Sequence, residues 1–222
     1  MEVRSAETGG TLEIVNAPTP ARPGRWSKER RRLQVAAVTL DIIAREGLRA
    51  ATLGRIAEAA GIRTPSLYNH FSGRSEILEA AMDLLLDRVF AWIDSSTNPN
   101  MLERLRELGG AVHERQIVPD QEWVIMPLFE LAVAARAEGL TERMGRNQMR
   151  VLQKFIDIVD EGKRQGTIRE DVDPRVVGWS MMGLGWTKDF ALLEGLDQFI
   201  TDGTANKILE NVLDRIAVGE FG

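Results

Sequence analysis

A chain of 222 residues with 44% hydrophobic content is long enough for one large domain or two modest ones, each able to bury a core. With no cysteine it excludes a disulfide scaffold, a zinc-thiolate site, an iron–sulfur cluster and a cysteine nucleophile, and an intracellular location is the default. The net charge of −5 hides a split: residues 22 to 75 carry eleven Lys and Arg against four acids, a net of +7, while residues 76 to 222 sum to −10.

A basic module ahead of an acidic one points to a polyanion partner for the first alone, because a basic surface attracts phosphates at long range and an acidic one repels them. Uneven scatter of surface charge is the plainer reading. The first twenty residues hold three acids and one Arg with no apolar run, so they do not read as a secretory signal. The longest charge-free apolar stretch, Val176 to Thr187, is 12 residues and too short to span a bilayer. The expectation is a soluble, cytoplasmic protein without a membrane partner.

Residues 1 to 27, with "NAPTPARPGRW", read as a flexible arm. From Lys28 a first helix is predicted, with Leu33, Ala36, Ala37, Leu40, Ile43 and Ala44 at helical spacing and Gly47 as its cap. A second begins at Thr52, whose hydroxyl can cap "LGRIAEAA", and ends at Gly61. In "GIRTPSLYNHF" a third starts with Thr64 as N-cap and Pro65 at the first helical position, where a missing N–H costs nothing. Leu67 and Phe71 stand four apart on one face, and Ser66, Asn69 and His70 point elsewhere. After "SGRSE" a long fourth helix runs to about Asp94, followed by the punctuation "SSTNPN". Further helices are predicted at roughly 100 to 116, 120 to 137, 139 to 165, 174 to 195 and 204 to 218, with Asp173 and Pro174 forming another cap and start. No alternating run, Gly-rich phosphate loop or internal repeat competes, so the fold class is all-α.

Two short helices of seven or eight residues joined by "GIR" make a helix-turn-helix, with Ile56, Ala57, Ala60, Ile62, Leu67 and Phe71 as the wedge between them. With a basic arm and a +7 module, the second helix of the pair is a candidate recognition helix for the major groove.

From Arg31 to Leu85, with "TLGRIAEAAGIRTPSLYNHFSGRSEIL" at its heart, the sequence resembles the N-terminal domain of the tetracycline-repressor (TetR/AcrR) family of bacterial transcription regulators. It departs at Arg55, where the family usually has an acid or small residue, and at Arg74, where it usually has Lys. The resemblance implies an N-terminal three-helix helix-turn-helix DNA-binding domain over 28 to 75, behind the arm at 1 to 27, and a larger helical effector-binding and dimerisation domain over 76 to 222. It implies Thr64, Pro65, Ser66 and Asn69 as the group at base edges, and Tyr68, His70, the Thr52 amide and Arg74 as phosphate contacts, with Arg63 in reach of either. Arg22, Arg25 and Lys28 would follow the minor groove. Tyr68 has a second reading, packing on the fourth helix, and the arm a second reading as solubilising sequence.

In the second domain the resemblance implies that the last two helices of each subunit form a four-helix bundle. The sequence supports this independently: the last helix carries Ala205, Ile208, Leu209, Val212, Leu213 and Ile216 on one stripe, and the one before is apolar almost all round. Val177, Met181, Leu184, Ile208, Val212 and Ile216 are the dimer-interface candidates. Trp123, Met126, Phe129, Phe155, Trp179 and Met182 are candidates for a pocket that suits a hydrophobic or planar effector, since Met adapts and rings supply area. The plainer reading of each is core. Gly178, Gly183 and Gly185 would permit close helix approach. His113 and Glu114 are too few for a metal site, and no cofactor is expected.

The expected function is a ligand-responsive transcriptional regulator, most simply a repressor, binding a palindromic double-stranded DNA operator as a homodimer and released by a small hydrophobic or aromatic effector. The alternative is a DNA-binding architectural or partner-binding protein of the same fold without an effector. An enzyme is not expected, because no nucleophile–base pair, metal cluster or cofactor loop stands behind scattered carboxylates such as Glu122, Glu130 and Asp157.

Overall fold

The structure, a computed structural model, describes residues 27–116 and 125–219. The arm, with Arg22 and Arg25, and Trp123 lie outside the described residues, as do the side chains of His113, Glu114 and Met126.

Ten α-helices are described: α1 Lys28–Glu46, α2 Leu53–Ala59, α3 Thr64–Leu67, α4 Arg74–Ser95, α5 Met101–Gln116, α6 Ile125–Ala134, α7 Thr141–Arg164, α8 Pro174–Leu193, α9 Gln198–Thr201 and α10 Thr204–Ile216. A three-residue 3-10 turn, Leu48–Ala50, joins α1 to α2. Local chemistry sets the ends. The Ser27 hydroxyl accepts from the Arg30 amide at 3.2 Å to start α1, and Gly47, at φ 80°, ends it by donating to the Ile43 carbonyl. Asn100 Oδ1 accepts from the amides of Leu102 and Glu103 at the start of α5. Asp173 caps α8 through the Arg175 amide at 2.9 Å with Pro174 at its first position. Beyond the helices, residues 168 and 217 form one isolated antiparallel bridge.

Two hydrophobic cores divide the molecule. The first gathers Val35, Leu40 and Ile43 of α1, Ile56 and Ala57 of α2, Leu67 of α3, and Ile77, Leu78, Ala81 and Leu85 of α4. It also takes Leu131 and Ala135 from the α6 region and Leu140 before α7, so a segment far along the chain completes the N-terminal core. The second is built on Ile93, Leu105 and Leu108, Phe155 and Val159, Met181 and Met182, and Leu209 and Leu213. The 22 residues of α4 therefore run through both. The stripe expected along α1 is displaced at one position: Leu33 is 52% exposed, and Val35 and Ile42 face inward instead.

Close approach is specific to one of the three glycines singled out on α8. A Cβ at Gly178 would lie 2.9 Å from Leu152 Cδ1 of α7 and 3.3 Å from Phe155 Cβ, so a side chain there would require the Leu152 tip to shift; Gly183 and Gly185 face open space. Between α5, α8 and α10 sits an unexpected cation. Lys188 is 1% exposed, and its ammonium donates to the Gly109 carbonyl at 2.8 Å and to Asn206 Oδ1 at 3.1 Å. Burial pushes its pKa down, with neighbouring Asp189 acting the other way.

Candidate nucleic-acid interface

The helix-turn-helix is assembled on a small wedge. Ile56, Ala57 and Ala60 from the first helix meet Leu67 and Phe71 from the second, all buried. Ala57 is small enough to let the helices close. Gly61 takes φ 65°, a left-handed conformation that glycine adopts without the steric cost of a Cβ, and Ile62 then donates to the Ala57 carbonyl at 3.0 Å to fix the turn. Thr52 sits extended at the start of α2, and its hydroxyl accepts from the Arg55 amide at 3.2 Å.

The third helix begins one residue earlier than expected. Arg63, extended at φ −81° and ψ 144°, occupies the N-cap position, so Thr64 is the first helical residue and Pro65 the second. Pro65 is as free of cost there, because the first-turn amides have no intrahelical acceptor in any case. The α-helical part is also short, four residues, and not seven or eight. Its course continues through the His70 and Phe71 amides, both donating to the Leu67 carbonyl. The result presents Arg63, Pro65, Tyr68 and Asn69 outward, with Thr64 and Ser66 half-buried beside them. Tyr68 is 58% exposed, so it does not pack on α4.

Two of the expected phosphate contacts are committed elsewhere, and a third is uncharged. The Thr52 amide donates to the Ala50 carbonyl at 2.7 Å and the Arg55 amide to the Thr52 hydroxyl, which leaves the amides of Leu53 and Gly54 to face an anion. Arg74 points inward: its Nε donates to the Ala51 carbonyl at 2.8 Å, one terminal nitrogen to the Leu48 carbonyl at 3.0 Å, and the other pairs with Glu138. His70 is half-buried with Nδ1 enclosed and without a hydrogen-bond partner. Burial, and then the positive charges of Arg31, Lys28 and Arg32, lower its pKa, so it stays neutral near pH 7 and offers no cation to phosphate. Arg55, the other departure from the family pattern, is bidentate on Glu46 at the end of α1.

Sequence reasoning missed the group that holds the recognition helix in place. Arg32 of α1 donates to the His70 carbonyl and, at 2.7 Å, to Glu76 Oε1, while its guanidinium lies 4.3 Å from the centre of the Phe71 ring. Glu76 also accepts from the Ser72 amide at 2.6 Å and the Ser72 hydroxyl at 2.9 Å. These bonds to its charged form, from Ser72 first and Arg32 next, bring its pKa down to about 2. The detectable signal was Ser72 standing just before α4 with Glu76 in its first turn, a variant of the capping box.

In the second domain the effector candidates divide. Phe155 and Met182 are buried in the second core. Phe129 is half-buried and its ring lies 6.0 Å from that of Phe190. Trp179 is 57% exposed and meets Trp186 edge-on at 5.3 Å. Of the dimer candidates, Val177, Met181 and Ile216 are buried in the subunit's own core, while Val176, Trp179 and Phe190 on α8 are exposed. Ile208 is 49% exposed, and Leu184 and Val212 are half-buried. A helix apolar all round leaves its phase undetermined, and Leu152 packing into the Gly178 notch decides it. Among the described residues no helix is long and apolar enough to cross a membrane. No group of three or more His, Cys, Asp or Glu among them is placed to hold a metal ion.

Residues 36–81 match the family model described as bacterial regulatory proteins, tetR family. The repressor KstR2 of Mycobacterium tuberculosis is 32% identical over 157 residues, covering 66% of this chain and 74% of that protein. This chain belongs to the TetR family. It is a transcriptional regulator of that family's two-part, all-helical build. Among solved structures, a TetR-family regulator from Rhodococcus sp. superposes with a TM-score of 0.72 at 22% identity, covering 84% of this chain and 98% of that one. The ketosteroid transcriptional regulator KstR2 of Mycobacterium tuberculosis superposes with a TM-score of 0.55 at 24% identity, covering 85% and 96%. Both likenesses concern the fold, and they span the second domain that the family model does not reach.

Proposed function

We propose that this TetR-family chain is a ligand-responsive repressor that reads a palindromic operator as a homodimer in the cytoplasm. The observation that carries the reading is the face of α3: Pro65, Tyr68 and Asn69 stand outward on a helix whose back is fixed by Leu67, Phe71 and Arg32. Pro65 and the methyl of Thr64 suit a thymine methyl, Asn69 suits adenine, and Ser66 completes the base-edge group. Tyr68, Arg63 and the first-turn amides of α2 suit phosphates.

A homodimer is supported by the exposed stripe of Val176, Trp179 and Phe190 on α8 with Ile208 on α10, apolar surface that a second copy would cover. Two recognition helices related by a two-fold axis then meet successive major grooves about 34–36 Å apart. Release requires an effector that binds the non-DNA conformation better, since equal affinity for both shifts nothing. KstR2's description as a ketosteroid regulator makes fused-ring apolar molecules the first class to screen.

The test is a titration of the protein against the DNA flanking its own coding region at two salt concentrations, with Tyr68→Ala alongside. Tight, salt-sensitive binding that the variant loses is expected. Binding no better than to random DNA by protein shown free of co-purified ligand by mass spectrometry refutes the operator reading at that DNA.

A further inference from the structure

We infer that α6 sets the position of the helix-turn-helix by gripping the short connector ahead of α2, with Glu130, Glu138 and Arg74 as the positioning residues. This rests on the operator-binding reading above. The turn Leu48–Ala50 leads directly into Ala51 and Thr52, the cap of α2. Its backbone is held from outside on both sides. The Leu48 amide donates to Glu130 Oε2 at 3.2 Å. The Leu48 and Ala51 carbonyls both accept from Arg74, at 3.0 Å and 2.8 Å, and the remaining arm of that guanidinium pairs with Glu138, just beyond α6. Each side chain of this ion pair is only 28% exposed, so water screens it less than a surface pair. Leu48 and Ala51 share the first core with Leu131 and Ala135.

The adjacent residue faces the other way. Phe129 packs its ring 6.0 Å from Phe190 of α8, whereas Glu130 reaches the connector. Consecutive helical residues diverge by about 100° around the axis, so one turn of α6 touches the second domain on one side and the DNA-reading module on the other. Hydrogen bonds weaken steeply with distance and angle, so movement of α6 relative to α8 loosens or re-aims the connector and, with it, the first-turn amides of α2 that would face a phosphate. The route does not pass through the length of α4, because Arg74 stands at its first residue.

The experiment compares wild type, Glu130→Gln, Glu138→Gln and Asp94→Asn for operator affinity and for amide hydrogen exchange at residues 48 to 53. Asp94 pairs with Lys154 at the far end of α4, and its replacement removes one negative charge as the others do. Removing a negative charge near a polyanion by itself strengthens binding. The grip predicts the opposite sign: about tenfold weaker operator binding in Glu130→Gln and Glu138→Gln, with faster exchange at the connector, and neither effect in Asp94→Asn. Failure of wild type to bind any flanking DNA refutes the operator reading at that DNA, and the exchange arm still tests the grip. With wild type binding, unchanged affinity in both Gln variants, weaker affinity without faster exchange, or an equal loss in Asp94→Asn overturns the inference.

Discussion

Replacing Glu76 by Gln removes the charge on which three bonds converge: the Ser72 amide at 2.6 Å, the Ser72 hydroxyl at 2.9 Å and Arg32 at 2.7 Å. The carboxyl titrates at about 2 in the folded chain against an ordinary 4.5. That gap corresponds to at most about 3.4 kcal/mol of stabilisation at neutral pH. With the Glu76 side chain 33% exposed, solvent screening brings the expected cost of Glu76→Gln at pH 7 to about 1.5 kcal/mol, or about 3–6 °C in Tm. Because the folded value lies below the unfolded one, the stabilisation is complete above about pH 4.5 and is lost as the pH falls towards 2. Urea unfolding of both proteins from pH 7 to pH 3 should show the gap more than halved at the acid end. A gap that stays constant with pH, or one below about 0.3 kcal/mol at pH 7, would refute the role given to the carboxylate.

Lys188 gives a pH dependence on the other side of neutrality. Its pKa is lowered by burial, so the unfolded chain binds the proton more readily and stability should rise between the lowered folded value and 10.5. Urea unfolding at increasing alkaline pH should show that rise in wild type and its absence in Lys188→Met. On α8, Gly178→Ala should be less stable than Gly183→Ala by about 1 kcal/mol, because its Cβ would press on Leu152 Cδ1 at 2.9 Å and Phe155 Cβ at 3.3 Å, whereas Gly183→Ala meets nothing and should be neutral or stabilising within one subunit. Thermal melts distinguish them. Trp179→Glu should shift sedimentation towards a monomer while leaving helix content unchanged, since the side chain is outside its own core. A variant that unfolds instead would contradict that placement.

The sequence was most legible where a residue type has one physical use. Pro174 after Asp173, Gly47 after α1 and the Ile56, Ala57, Leu67, Phe71 wedge all stand as their chemistry required. It was least legible where several partners compete for one group. Arg74 reads as a phosphate ligand only until the Leu48 and Ala51 carbonyls of the connector and Glu138, just beyond α6, are brought to it by the fold. The phase of α8 failed for a different reason. Val176, Val177, Trp179, Met181 and Met182 supply apolar surface in nearly every direction, so periodicity could not distinguish Val177 from Val176, and the Gly178 notch did. Lys188 left no pattern at all, because a single Lys in an apolar helix is ordinarily a surface residue.

The two cores also differ in how much of the chain each must wait for. The first draws its last buried member from Leu140, with Met144 packed against it, whereas the second needs Leu209, Leu213 and Ile216, and the Val218 amide ties the segment after α10 back to the Thr167 carbonyl at 3.2 Å. During synthesis the DNA-reading module therefore has all its core residues while α7 is still being made, and the second core closes only after α10 has been made. A ribosome that stalls between the two points leaves a product with a finished α3 and no second core. On the homodimer reading proposed above, such a product would occupy one half-site without its partner copy, which makes the order of the cores along the chain a matter of dosage as well as of folding.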